Sequence, residues 1–336
     1  MAITFIRRAG ADNGIRPLKP SRDLRDVAGL IEEAFASELD RTGRAALREM
    51  RWLGRWGFLL FWLDVLSPDV NTHLNGFVSV ERGQIVGNAT VSRSAPGARH
   101  WFISNVAVAK LHRGRGTARQ LMEAAIEYVK EMRGQSISLY VRQGNAPAIH
   151  LYQSMGFKRV SATAFMFIPK PKAVERAPFP PELTLREHNL DVRDSRAAYK
   201  LARTAIPARV QMERPLHQSH FSLGSEVAFN NFWRGLVGLG KAKHWVVEDK
   251  PGSFVGMLSV EPASWRGEHS LTFLVHPDWW GVLEDPLIRT ALAYLKTCPA
   301  RPISFRHSEE HKAGIQALLA LDFSIERTHI WMKLDL

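Results

Sequence analysis

The stretch that most limits what this chain can fold into is WFISNVAVAKLHRGRGTARQLMEAAIEYVKEM, from Trp101 to Met132. Phe102, Ile103, Val106 and Val108 predict a buried strand. A basic turn with two glycines follows, from His112 to Ala118. Beyond it Ala118, Leu121, Met122, Ala125, Val129 and Met132 recur at helical spacing, and Gly134 stands where a C-terminal cap belongs. A strand feeding a helix through a glycine turn aims several backbone N–H groups at one place. The positive end of the helix dipole lies there too, so the turn suits an anion, above all a phosphate. Gly114 and Gly116 let the backbone approach a ligand closely, while Arg113 and Arg115 add charge.

Two common phosphate motifs do not fit. A P-loop requires G-x-x-x-x-G-K-[ST], and no lysine stands where that pattern needs it. A dinucleotide fingerprint places a small residue where Arg119 stands, and the acidic residue expected at the end of a second strand is missing. Arg113-Gly114-Arg115-Gly116-Thr117-Ala118 instead resembles R/Q-x-x-G-x-G/A, the acetyl-CoA signature of the GNAT N-acetyltransferase superfamily. A second block, Asn145-Ala146-Pro147-Ala148-Ile149-His150-Leu151-Tyr152-Gln153-Ser154-Met155-Gly156-Phe157, is similar to that family's later N-x-x-A-x-x-L-Y-x-x-x-G-F motif at every specified position. Read physically, it is a short helix with Asn145 as N-cap, Pro147 in its first turn and Gly156 at its end. Between the blocks Ile137, Leu139 and Val141 alternate as a strand does.

The resemblance implies an α/β (α+β) fold, in which a mixed, mostly antiparallel central sheet is flanked by helices. It implies acetyl-CoA as acyl donor and no metal. The backbone of Val106, Ala107 and Val108 would meet the pantetheine arm and the thioester carbonyl. Arg113, Gly114, Arg115, Gly116, Thr117 and Ala118 would hold the pyrophosphate, and Asn145 would orient the pantetheine. Tyr152 matches the family tyrosine that donates to the departing sulfur, a general-acid role; its plainer role is packing beneath the cofactor. Many relatives carry a carboxylate on the central strand as base, but none lies between Trp101 and Val108. Ser104 or Asn105 could position a water there, and Glu38, Asp40 and Glu81 are more distant alternatives.

At 336 residues two domains are expected. Residues 1–168 form an N-terminal domain with the acetyl-CoA site, Pro169 to Pro181 an extended proline-rich linker, and 182–336 a second domain. Ile15-Arg16-Pro17-Leu18 opens the first domain as a strand. Ser21 caps a helix that presents Leu24, Val27, Ala28, Ile31 and Phe35. Phe77 to Val80 and Ile85 to Ser92 form a hairpin turning at Arg82-Gly83-Gln84, and Phe165 to Ile168 closes the domain.

The segment from Arg41 to Leu66 is the oddest in the chain, with Trp52, Trp56 and Trp62 beside Arg48, Arg51 and Arg55. Its apolar part is far shorter than the roughly twenty residues of a membrane span. A helix buried between domains is the plainer reading of residues 48–66. An interfacial membrane helix is the second, and a wall for an apolar acceptor, as the resembled family's second helix would form, is the third.

The second half looks like a second, diverged copy of the first. Leu183 to Arg186 matches the opening strand, and Val255-Gly256 matches Val86-Gly87. Leu271 to Val275 matches the central strand, and Pro286 to Leu295 the helix after it. Asp322-Phe323 and Trp331-Met332 mirror Gly156-Phe157 and Phe165-Met166 with one offset. That offset puts His311 at the Asn145 position and Leu318 at the Tyr152 position. The counterpart of the anion turn carries Glu284 and Asp285, which would repel a pyrophosphate. The second copy is therefore expected to be degenerate. His276, His307 and His311 lack metal-ligand spacing and read as surface histidines.

The formal charge of +12 is carried almost wholly by residues before 182. Attraction of an anionic cofactor accounts for it, and without a basic run interleaved with aromatics no nucleic-acid partner is expected. The single cysteine, Cys298, suits a reducing, cytoplasmic setting, and no signal segment is read at the N-terminus. Two function classes follow. One is an acetyl-CoA-dependent N-acetyltransferase acting on a small amine or a peptide, as a monomer or dimer. The other is a non-catalytic acyl-CoA-binding sensor or regulatory module.

Overall fold

The computed structural model describes residues 13–35, 75–95, 97–171, 174–189, 191–222, 240–263 and 267–336. The tryptophan-rich segment, Glu38 and Asp40 lie outside them. By its contacts the chain forms two compact units. The first comprises residues 1–141, 146–159 and 332–336; the second comprises 142–145 and 160–331.

In the first unit β1 (Gly14–Pro17) leads to α1 (Pro20–Phe35). The helix starts two residues earlier than a Ser21 cap implies, because Pro20 supplies the fixed φ of a first helical position. Asp23 then accepts the Lys19 N–H at 2.8 Å and both arms of the Arg16 guanidinium at 2.6 and 2.9 Å. Strands β2 (Asn75–Glu81) and β3 (Gln84–Arg93) form the expected hairpin. Arg82 and Gly83, at φ 51° and 78°, occupy its two-residue turn, the conformation whose twist matches the flanking strands. Next come β4 (His100–Val108), a single 3-10 turn at Lys110–His112, α2 (Thr117–Glu131), β5 (Ser136–Arg142) and α3 (Ala146–Ser154).

The strand order is β1-β2-β3-β4-β5. Only β4 and β5 are parallel, as the crossover through α2 requires. Because side chains alternate across a sheet, Val78 and Val80 pack on α1 through Val27, Ala28 and Ile31. Phe77 and Trp101 meet Tyr128 of α2 edge-on, at 6.0 and 5.8 Å. Gly87 lets α2 sit close to β3, since a Cβ there would stand 2.9 Å from the Leu121 side chain.

The second unit repeats this order: β7 (Thr184–Glu187), α4 (Val192–Ala205), α5 (Ala208–Glu213), β8 (Lys243–Lys250), β9 (Ser253–Glu261), β10 (His269–Val275), α6 (Glu284–Leu295), β11 (Ile303–Ser308), α7 (Lys312–Ala320) and β12 (Ser324–Asp335). The repeat extends to a polar detail that periodicity does not reveal. Arg186 grips Asp194 through two bonds of 2.6 and 2.8 Å, and Asp194 accepts the Asn189 N–H at 2.7 Å. That is the Arg16–Asp23–Lys19 arrangement over again.

One strand departs from the domain division read from sequence. Strand β6 (Lys158–Ile168) pairs antiparallel with β11, from Ile168 opposite Ile303 to Thr163 opposite Ser308. Residues from Val160 on therefore belong to the second unit, while the end of β12, from Met332, belongs to the first, where Leu336 N–H donates to Gln135 O at 3.0 Å. Burial alternating at Val160, Ala162, Ala164, Met166 and Ile168 identifies a strand, but that pattern does not encode which neighbour it pairs with. The expected linker, where described, carries neither helix nor strand.

Candidate functional site

The turn after β4 is built as its glycines suggest. Gly114 and Gly116 have φ of 76° and 81°, and a Cβ at either would meet nothing within 4 Å. Both glycines are thus explained by the left-handed backbone, not by crowding. Gly116 is the N-cap of α2. The first bond of the helix ladder runs from Gln120 N–H to Gly116 O at 3.1 Å. The N–H groups of Thr117, Ala118 and Arg119 precede that ladder, so the cradle has donors to offer an anion.

The arginines divide their work. Arg115 is exposed, with Glu81 4.0 Å away. Arg113, also exposed, donates from Nε to Val108 O at 3.1 Å and from Nη2 to Ala34 O at 3.5 Å. Arg113 thus braces the end of the central strand, where sequence suggested charge for the ligand. Arg119, which sequence used only to exclude a dinucleotide site, donates to Ser154 Oγ at 2.6 Å and ties the first turn of α2 to the end of α3.

Strand β4 opens away from β5. The two pair only from His100–Ser136 to Phe102–Ser138, which leaves the segment holding Val106, Ala107 and Val108 without a partner on that side among the described residues. On the other side, Asn88 faces Ala107 and Thr90 faces Ser104, so β4 carries an extra residue in this interval. Asn105 takes φ 52° there, a left-handed conformation that asparagine tolerates better than most residues. The Asn88 side chain fixes the bulge by donating to Asn105 O at 2.9 Å, while its own buried Oδ1 has no partner among the described residues. A bulge and a splayed strand pair expose backbone polar groups in a line with the cradle's element, which is what a long, flexible, amide-bearing ligand needs.

Tyr152 lies in α3 and is 7% exposed. Its ring packs 6.0 Å from Phe157, and burial pushes its hydroxyl up to about 12. It therefore keeps its proton at neutral pH and has an O–H to donate. Asn145 immediately precedes α3, in the short segment grouped with the second unit; its N–H donates to Arg142 O at 2.9 Å. As for bases, Ser104 and Asn105 are exposed. Glu81 faces His112 at 3.2 Å and Arg115, beside the cradle.

The second unit's counterpart of the cradle is filled by its own carboxylate. Glu284 is 1% exposed and accepts the Gly281 N–H at 2.8 Å. Its other oxygen lies 2.6 Å from His311 Nε2, and His311 Nδ1 lies 3.0 Å from His307 Nε2. The side chain thus takes up one N–H of the turn that precedes α6. Asp285 is engaged by Arg289. His307 and His311 are buried, not surface histidines. Burial, with His311 alongside, drives His307 down to about 3. Among the described residues no group of three or more His, Cys, Asp or Glu could hold a metal, and no helix is long and apolar enough to cross a membrane.

A mixed sheet with a splayed central strand, a bulge and a glycine-capped helix defines the first unit as an α/β domain. Residues 39–157 match the Acetyltransferase (GNAT) family. It is 43% identical to a streptothricin acetyltransferase of Streptomyces lavendulae over 75 residues, 22% of this chain and 39% of that protein. It is 31% identical to a mycothiol acetyltransferase of Renibacterium salmoninarum over 161 residues, 46% of this chain and 43% of that protein. The chain thus spans about two fifths of the length of the curated relatives it matches. Among solved structures, a tandem GNAT protein from the clavulanic acid biosynthesis pathway superposes with a TM-score of 0.52 at 18% identity, covering 96% of this chain and 98% of that one. At that identity the likeness concerns the fold.

Proposed function

We propose that the chain is an acetyl-CoA-dependent N-acetyltransferase whose working site is the cradle and splayed strand of the first unit. The observation that carries this is the pair of left-handed glycines opening α2, with space and free N–H groups where a pyrophosphate would lie. In this reading Gly114 to Ala118 bind the pyrophosphate, assisted by the exposed Arg115. The backbone from Val106 to Val108 holds the pantetheine and polarises the thioester carbonyl. Asn145 orients the arm, and Tyr152 donates to the departing thiolate. The names of the relatives support an amine acceptor, and their acceptors differ, so a small amine or a peptide amine is the class proposed here. A tightly held carboxylate base is absent among the described residues of the strand, and Ser104 or Asn105 would place a water instead.

The test is release of free thiol from acetyl-CoA against a pooled panel of amines. Amine-dependent thiol release is expected. Tight coenzyme A binding with no turnover on any amine would favour the sensor reading instead. A second expected result is stoichiometric: calorimetric titration should give one coenzyme A per chain, because Glu284 occupies the second unit's cradle. A value near two at saturation of the first site would show that Glu284 yields its place.

A further inference from the structure

The second unit carries a half-open cavity of about 480 Å³, within the size range of small-molecule sites. The cavity lies over the sheet from β8 to β11, with Ile206, Pro207 and Phe221 on its helical side. At one end it is lined by Val275 and by Trp280, which stacks on His311 at 4.5 Å, beside the turn whose Gly281 N–H is taken by Glu284. Its flat apolar walls are Trp245, Phe221 and Phe273.

Two polar groups on the lining have unmet capacity. His188 is 9% exposed, and neither ring nitrogen has a partner among the described residues. Burial lowers its pKa, so the ring is neutral, with one nitrogen to donate and one to accept. A buried imidazole without partners is costly unless something supplies them. Arg306 is exposed on the lining, its guanidinium 5.3 Å from the Phe165 ring, and it meets no carboxylate among the described residues. The carboxylate that shares the lining, Glu310, is ion-paired with Arg209. The unmatched charge facing this cavity is therefore positive.

We propose that this cavity is a second ligand site, for a small carboxylic acid with a flat apolar body, its carboxylate at Arg306 and a hydrogen-bonding group at His188. The inference is independent of acetyl transfer in the first unit. It is tested on the full chain by calorimetry with three probes that share one ring: indole-3-acetate, 3-methylindole and tryptamine. Indole-3-acetate should bind once per chain, 3-methylindole about tenfold more weakly or worse, and tryptamine not measurably. Arg306→Gln, at an exposed position, should lower indole-3-acetate affinity about tenfold, and Met257→Trp, which fills the cavity, should remove it. Gly116→Asp should leave it intact. The proposal is overturned by absence of heat with indole-3-acetate at millimolar concentration, by tryptamine binding equally well, or by affinity unchanged in Arg306→Gln. Loss of binding in Gly116→Asp would place the site in the first unit and overturn it as well.

Discussion

Gly116→Asp is expected to abolish coenzyme A binding while the protein stays folded. A carboxylate at the N-cap of α2 would stand among the N–H groups proposed to hold the pyrophosphate. Two like charges 4 Å apart near a protein surface oppose each other by about 4 kcal/mol, which is about a thousandfold in affinity. The fold should survive, because the new Cβ would meet nothing within 4 Å. What remains is the left-handed backbone, φ 81°, which costs an L-residue about 1–2 kcal/mol. That predicts a melting temperature lower by a few degrees. Gly116→Asn separates the two effects. It carries a similar side chain without the charge, and asparagine accepts this conformation more readily. Calorimetry should therefore show a modest loss for Asn and none of the wild-type heat for Asp. Wild-type affinity in the folded Asp variant would remove the cradle from the site.

How much of this was legible in the chain depended on how local each feature is. The glycine turn, the helix after it and the short helix carrying Tyr152 are written in neighbouring residues, because φ > 0, capping and helical spacing are local demands. The hairpin at Arg82-Gly83 is legible for the same reason. The bulge at Asn105 is not. It arises from a mismatch of register between β3 and β4, and the asparagine that tolerates it looks like any polar residue in a strand. Pairing of β6 with β11 is equally hidden, since alternation fixes a strand's faces and not its neighbour. Glu284 shows a subtler failure. From sequence it is a charge in the wrong place for a phosphate, which is correct. That it is buried and serves as the turn's own anion, braced by His311, depends on a residue 27 positions away. Arg113 carries a contact that its motif does not announce: its guanidinium donates to the backbone of Val108.

Tyr152→Phe is expected to lower kcat by about ten- to a hundredfold, with little change in stability. The ring's packing against Phe157 is retained. The helix end does not depend on the hydroxyl, because Phe157 N–H and Met155 N–H donate to the Tyr152 carbonyl at 3.0 and 3.1 Å. The size of the effect follows from the state of the hydroxyl. Burial pushes its pKa up to about 12, whereas a thiol sits near 8.5. Full proton transfer to the departing thiolate would therefore run uphill by about 3.5 pH units, roughly 5 kcal/mol. A hydrogen bond to the sulfur as its charge develops has no such penalty, and bonds to charged groups contribute about 1.5–3 kcal/mol. That range converts to the fall in kcat given above and sets Tyr152 as a hydrogen-bond donor, with solvent supplying the proton afterwards. Because the bond strengthens as charge develops, kcat and kcat/KM should fall together, and coenzyme A affinity should change only slightly. Single-turnover measurement, where the chemical step limits the rate, is the check. Wild-type turnover there would reduce Tyr152 to a packing residue, and a fall in affinity equal to the fall in rate would make it a binding group.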